Sequence, residues 1–291
     1  MIQKCNRLCG VRFMLMLTIF TLCTPLSASS FMGDMWERAT GFFSRSKKDT
    51  LEQKFLLPTN SVINIKNKEG DITIIGTQGA TGPAAYTKVT TVKKGSEDQL
   101  KQTKIVTHHD GSVLSIEVKS LNDQAPAYVA IALDIPTNTS ASTTLNIDQG
   151  RGHIAIKGIP GDTNIRTNQG SITLEEMQGG ITARAPQGSV KASLVRLPAN
   201  SSIFIDALEK ITLIIPKKTR ATLNAHSVKG TITTDQHITL KPMTMRLNNK
   251  SKKHFWNQIQ GMLGAHSNTT DYLASTIVLE SVRGKISIKE E

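Results

Sequence analysis

The sequence predicts an all-β chain: a single-stranded β-solenoid, or β-helix-like repeat, of nonapeptide half-coils with short helical caps. Three observations carry this. Glycines 152, 161, 170, 179 and 188 recur every nine residues. The third and fifth positions of the nonads they open are Ile154/Ile156, Thr163/Ile165, Ile172/Leu174, Ile181/Ala183 and Val190/Ala192, so each pair shares one strand face. A looser copy runs along the chain, with apolar or small residues at −7, −5, +2 and +4 from a glycine. One nonad has too little surface to bury its own apolar pair, whereas stacked nonads bury it, two units making an 18-residue coil.

The elements follow in chain order. Residues 1–29 read as a secretory signal peptide: Lys4, Arg7 and Arg12 with no acid, the apolar run Phe13–Cys23, then Pro25 and small residues. That run is shorter than the roughly 20 residues a membrane-spanning helix takes. Cys5, Cys9 and Cys23 all fall in this segment, so the exported chain is expected to have no thiol. Its formal charge falls from +12 to +9, because the segment carries three cations and no acid. An excess of this size favours anionic partners, here an anionic glycan or a membrane surface. Nucleic acid is discounted for an exported protein.

Residues 30–54 read as an amphipathic helical segment and linker. Phe31, Met32, Met35, Trp36, Ala39, Phe42 and Phe43 recur at helical spacing ahead of Arg45, Lys47 and Lys48. The repeat domain is expected over 55–291. Its first copy is Ile63, Ile65, Gly70, Ile72 and Ile74. Residues 84–130 read as an embellishment or as an N-terminal sub-region of the same sheet system, with strand-like YTKVTTVKK and SVLSIEVKS around a helix-like EDQLKQTKI. Leu145, Ile147, Gly152, Ile154 and Ile156 lead into the nonads, and Leu223, Ala225, Gly230 and Ile232 give a third copy. An insertion at 241–275 carries the stripe Phe255, Trp256, Ile259, Met262 and Leu263, read as a second helix. Ile277, Leu279, Gly284, Ile286 and Ile288 close the chain. The −5 and +2 positions are an odd number apart and need a turn between them; a hairpin and a solenoid corner both satisfy this.

The run Ile131–Pro136, the step Gly152–Gly158 and the TNQGSITLEEMQGG and APQGSV stretches resemble the bacterial putative-adhesin family of unknown function. The resemblance spans 55–291 and is clearest over 130–235. It implies export and a right-handed β-solenoid, and it brings no catalytic residues.

No catalytic motif stands out, so the chain is expected not to be an enzyme and to need no cofactor or metal. His108-His109-Asp110 precedes Gly111 and reads as a polar turn. Asp235, His237 and His226 are too few to argue for zinc. Glu175-Glu176 stands alone among the nonads, short of the acid cluster a β-helix polysaccharide-active enzyme takes. Arg166 and Arg184 lie 18 residues apart, which places them on adjacent coils about 4.8 Å apart, a candidate anion ladder unless the side chains splay into water. Trp36, Phe42, Phe255 and Trp256 are candidates for membrane or partner contact, weighed against capping of the open solenoid ends. The expected role is adhesion or organisation of the cell-envelope surface, at the periplasm, the cell surface or outside the cell. A periplasmic envelope-assembly or lipid-contact factor is the first alternative, and a β-helix polysaccharide-active enzyme the second.

Overall fold

The computed structural model describes residues 47–78, 86–121, 126–137, 143–217, 219–235, 240–247, 256–263 and 275–291. These form an all-β chain with one short helix among them. In order come β1 (Lys47–Leu56), β2 (Val62–Glu69), β3 (Ile72–Gln78), β4 (Tyr86–Gly95), α1 (Glu97–Gln102), β5 (Thr103–Asp110), β6 (Val113–Ser120) and β7 (Tyr128–Thr137). Then follow β8 (Thr144–Arg151), β9 (Ile154–Lys157), β10 (Thr163–Gln169), β11 (Ile172–Gln178), β12 (Ile181–Ala185), β13 (Val190–Arg196), β14 (Ser202–Ala207) and β15 (Ile211–Ile215). The last are β16 (Ala221–Ser227), β17 (Ile232–Thr234), β18 (Leu240–Leu247), β19 (Trp256–Leu263), β20 (Ser275–Ser281) and β21 (Ile286–Glu290).

The strands pair in two long rows. The first runs β5–β6–β2–β8–β10–β12–β14–β20–β16–β19–β18. The second runs β1–β4–β7–β3–β9–β11–β13–β15–β21–β17. Pairing is parallel from β6 to β16 and from β7 to β17, and antiparallel beyond. From β6 to β17, consecutive strands alternate between the rows. The turn between the −5 and +2 positions is therefore a corner and not a hairpin.

Every third- and fifth-position residue of the nonads is buried, with Ile154, Ile165, Leu174, Ala183 and Ala192 at 0% exposure. They belong to one core cluster together with Ile63, Ile72, Leu145, Leu223, Ile277 and Ile286 from the looser copies. Full burial of each Ile or Leu contributes about 1.5–3 kcal/mol. The interior line nearest the corner is polar instead. Asn67 Nδ2 donates to the Val129 carbonyl at 2.9 Å, Ser281 Oγ to that of Glu209 at 2.8 Å, and Ser227 Oγ to that of Gly284 at 2.9 Å. These side chains pair carbonyls at the corners.

Two expectations are corrected. Residues 47–54, placed in a helical segment and linker, belong to β1, which pairs with β4 over its whole length. The helical stripe at 31–43 lies outside the described residues. The insertion's stripe is also strand where it is described: Trp256–Leu263 is β19, with Ile259 and Leu263 buried. The edge of β16 that β20 leaves open takes β19 as a partner strand. The described residues at the two ends of the rows are thus antiparallel strands, with α1 beside β4 and β5, where helical caps were expected. That helix begins in a reciprocal Ser96–Gln99 capping box. It ends after six residues, before the helix-like reading of 97–105 does, because Thr103 begins the pairing with β6.

Candidate functional site

Outward-facing residues of the first row form a ladder at two levels. Six residues before each corner glycine stand Asn64, Asn146, Asn164 and Thr182; four before stand Lys66, Asp148, Arg166 and Arg184. Parallel pairing at an 18-residue offset in the nonads, and the matching register of β2, put each set opposite one another across adjacent strands. Ser115 and Glu117 of β6 extend the two levels at one side, Phe204 and Asp206 of β14 at the other. Together the levels line a polar trough of about 1030 Å³ that runs from β6 across β2, β8 and β10 to β12.

The upper level is an amide ladder with a direction. Asn146 Nδ2 donates to Asn64 Oδ1 at 2.9 Å, and Asn64 Nδ2 to Ser115 Oγ at 3.4 Å. The chain of bonds points towards β6, leaving the Asn164 amide and the Thr182 hydroxyl turned to the trough at its other end. Beneath them Arg166 and Arg184 are direct neighbours in register, as their spacing predicts. Arg184 relieves the like-charge contact by stacking its guanidinium over the Phe204 ring, 5.2 Å from the centroid and away from β10. Asp148 flanks Arg166 and Asp206 flanks Arg184. The level is therefore mixed in sign, with Arg166 and Arg184 as an adjacent cationic pair between the two acids.

Of the other sequence candidates, Trp36, Phe42, Phe255 and His237 lie outside the described residues. Trp256 opens β19 opposite Ile232. His108, His109 and Asp110 are the last three residues of β5, in register with β6, where a polar turn was expected; the His109 ring lies against Phe55 at 5.6 Å and its Nε2 3.1 Å from the Gly111 carbonyl. Asp235 follows β17 and pairs through its backbone N–H with Ile288. Glu175 and Glu176 form separate ion pairs with Lys191 at 3.4 Å and Lys157 at 3.2 Å.

One further constellation suggests nucleophilic chemistry. Just after the corner glycines, Ser171 Oγ lies 2.6 Å from His153 Nδ1, with Asp71 beside them. The Asp71 carboxylate accepts from the His153 backbone N–H at 2.8 Å and from the Tyr128 hydroxyl at 2.7 Å. It does not orient the imidazole, as the acid of a catalytic triad does. Burial lowers the His153 pKa, with Asp71 and Ser171 opposing. Burial, then the bond to Asp71, pushes the Tyr128 phenol above its ordinary value. The cluster fastens β7, β3, β9 and β11 together at their corners.

In the sequence the amide ladder lies between the apolar −7 and −5 positions, whose alternation dominates the pattern. The signal was present one residue along, as an asparagine six before Gly70, Gly152 and Gly170.

No family model matches the chain, and no curated protein does. Solved structures similar to it include a putative cell adhesion protein from Clostridium sporogenes, 12% identical, covering 84% of this chain and 100% of that one at a TM-score of 0.47. A putative adhesin from Bacteroides fragilis is 12% identical over 84% and 98% of the two chains, at 0.23. A putative lipid binding protein from Parabacteroides distasonis is 10% identical over 84% and 97%, at 0.25. The adhesin name is also that of the family the sequence motifs resemble.

Proposed function

We propose that the chain is an exported, non-catalytic β-solenoid module that holds an anionic glycan along the polar trough, in adhesion or in organising the envelope surface. The solenoid reading is supported by the alternation of strands between two parallel rows and by the 18-residue offset between partners such as Ile165 and Ala183. Export is supported by the charge, apolar run and small residues of positions 1–29.

The observation that carries the ligand class is the juxtaposition of Asn164, Arg166, Thr182 and Arg184 in the trough. The two guanidiniums suit a carboxylate or sulfate, and the amide and hydroxyl suit sugar hydroxyls. The strand repeat of about 4.8 Å is close to the advance of one sugar in an extended glycan, so successive rungs meet successive residues. Asp148 and Asp206 disfavour a densely charged polyanion and favour a chain whose acid groups are spaced among hydroxyls.

The acids of the trough support binding without turnover. Lys66 stands in register between Glu117 and Asp148, a cation between the two acids. Asp162 is occupied, its Oδ1 accepting from Gly180 N–H at 2.8 Å.

The test is calorimetric titration of the exported chain with polygalacturonate, with neutral dextran as control. Arg166→Ser combined with Arg184→Ser is expected to weaken polygalacturonate binding at least about tenfold and to flatten its salt dependence. Equal binding by the double variant, or equal affinity for dextran, sinks the reading.

A further inference from the structure

The corner where the first row passes to the second carries one kind of surface over its early coils and another over its last. Where β2, β8, β10 and β12 end, the corner side chains bind one another. Glu69 pairs with Arg151 at 3.9 Å, Arg151 Nε donates to Gln169 Oε1 at 2.8 Å, and Gln169 Nε2 donates to Gln187 Oε1 at 2.8 Å. One acid and one base head this line, and its polar groups are satisfied within the chain.

Where β14, β20 and β16 end, the same corner is cationic and partly apolar. Ser281 is in register with Ala207 and Ser227, and Ile286 with Ile211 and Ile232. The residues between these positions stack in turn. Leu208, Val282 and Val228 form one level, Arg283 lies beside Lys229, and Lys285 lies beside Lys210. All four cations are exposed, and none makes an ion pair among the described residues. Val228 is 57% and Val282 42% exposed. The neighbouring acids are engaged elsewhere. Glu209 Oε2 accepts from Ser189 Oγ at 3.0 Å, and Glu280 stands on the outward face of the first row between Asp206 and His226.

We propose that this corner, through Lys210, Lys229, Arg283 and Lys285 with Val228 and Val282, docks on a phospholipid surface that carries anionic headgroups. Charge, hydrophobicity and shape each favour this partner. The four like charges span two strand spacings, about 10 Å, and repel one another until anions are set among them. Headgroup phosphates supply those anions, and each Lys or Arg close to such a surface strengthens binding on the order of fivefold. The two exposed valines lose contact with water when they enter the boundary between headgroups and acyl chains, a gain that a dissolved polyanion does not offer. A corner between two sheets is convex and meets a plane along a line, whereas a single glycan chain is enclosed by a concave site such as the trough. The docking corner belongs to the coils of β14, β20 and β16, and the trough runs from β6 to β12. Docking therefore leaves Arg166 and Arg184 free, and the two sites are independent.

The test is co-sedimentation of the full exported chain with vesicles of phosphatidylglycerol and phosphatidylcholine, against vesicles of phosphatidylcholine alone. Binding to the mixed vesicles only is expected. Combining Lys210→Ser, Lys229→Ser, Arg283→Ser and Lys285→Ser is expected to weaken it at least about thirtyfold. A control removes four exposed cations from other places, Lys54→Ser, Lys104→Ser, Arg196→Ser and Lys217→Ser, and is expected to weaken it less than about threefold. Val228→Ser with Val282→Ser leaves every charge in place and is expected to weaken binding at least about threefold. Far-ultraviolet dichroism of each variant checks that it keeps its strands. Equal losses in the two quadruple variants mean that net charge alone draws the chain to lipid, and overturn the proposal. Unchanged binding in the valine variant means that the corner takes a dissolved polyanion and not a bilayer, and overturns it too. So does an exported chain that ignores the mixed vesicles.

Discussion

At Gly170 the backbone sits at φ +133°, and a Cβ added there would overlap the carbonyl oxygen of Gly152 on the adjacent coil. Gly152 stands in the same relation to Gly70, at φ +134°. Both the dihedral and the contact exclude a side chain, so the nine-residue spacing records a steric requirement at the corners. Gly170→Ala is expected to lower stability by about 2–4 kcal/mol, combining backbone strain with a forced separation of coils. Urea denaturation measures it, and a loss under about 0.5 kcal/mol would show that the corner yields. The glycines were legible in the sequence because they recur at a fixed interval. Ser171, His153 and Asp71 were not, since nothing in one dimension says that three residues following three corner glycines share hydrogen bonds.

Among the strands, the last coil has an unexpected place. β20 lies between β14 and β16, and β21 between β15 and β17, so the C-terminal coil is intercalated one rung from the end of the stack. The first coil does the same at the other end, with β2 between β6 and β8 and β3 between β7 and β9. β2, β3, β20 and β21 are therefore each paired on both sides. Leu279→Ala, thirteen residues from the end and at 0% exposure, is expected to cost about 2–5 kcal/mol as an interior cavity does. Leu51→Ala in the edge strand β1, at 45% exposure, is expected to stay within about 0.5 kcal/mol. Comparable losses in the two would contradict the intercalated order. The alternation of Ile277, Leu279, Ile286 and Ile288 identified this coil as a repeat unit; its position in the stack depends on pairing across some sixty residues, to which alternation is blind.

On the proposed solenoid reading, an 18-residue coil is the unit of exchange in the nonad region. Deleting residues 171–188 removes β11 and β12 together, which leaves β13 to pair with β9 and β14 with β10. That chain is expected to fold with a cooperative urea transition, though without Arg184 it binds acidic glycan more weakly. Deleting only 171–179 removes β11 alone and sends β12 to the wrong row, so it is expected to lose the cooperative transition. If both deletions behave alike, the rows are not built from paired half-coils. Periodicity by itself determined the all-β class, the inward residues of the nonads and the 18-residue register that joins Arg166 to Arg184. These are local or strictly repeating quantities, and a strand's two faces are set by its own alternation. Only the tertiary structure decided that the insertion is strand where it is described, that both terminal coils are intercalated, and that the outward face holding Ile75 and Ala155 is buried while the one holding Arg166 is open. Each of these depends on which edge or face lies next to which after folding, and free edges and exposed apolar surface take the partner that is near in space, whatever their distance along the chain.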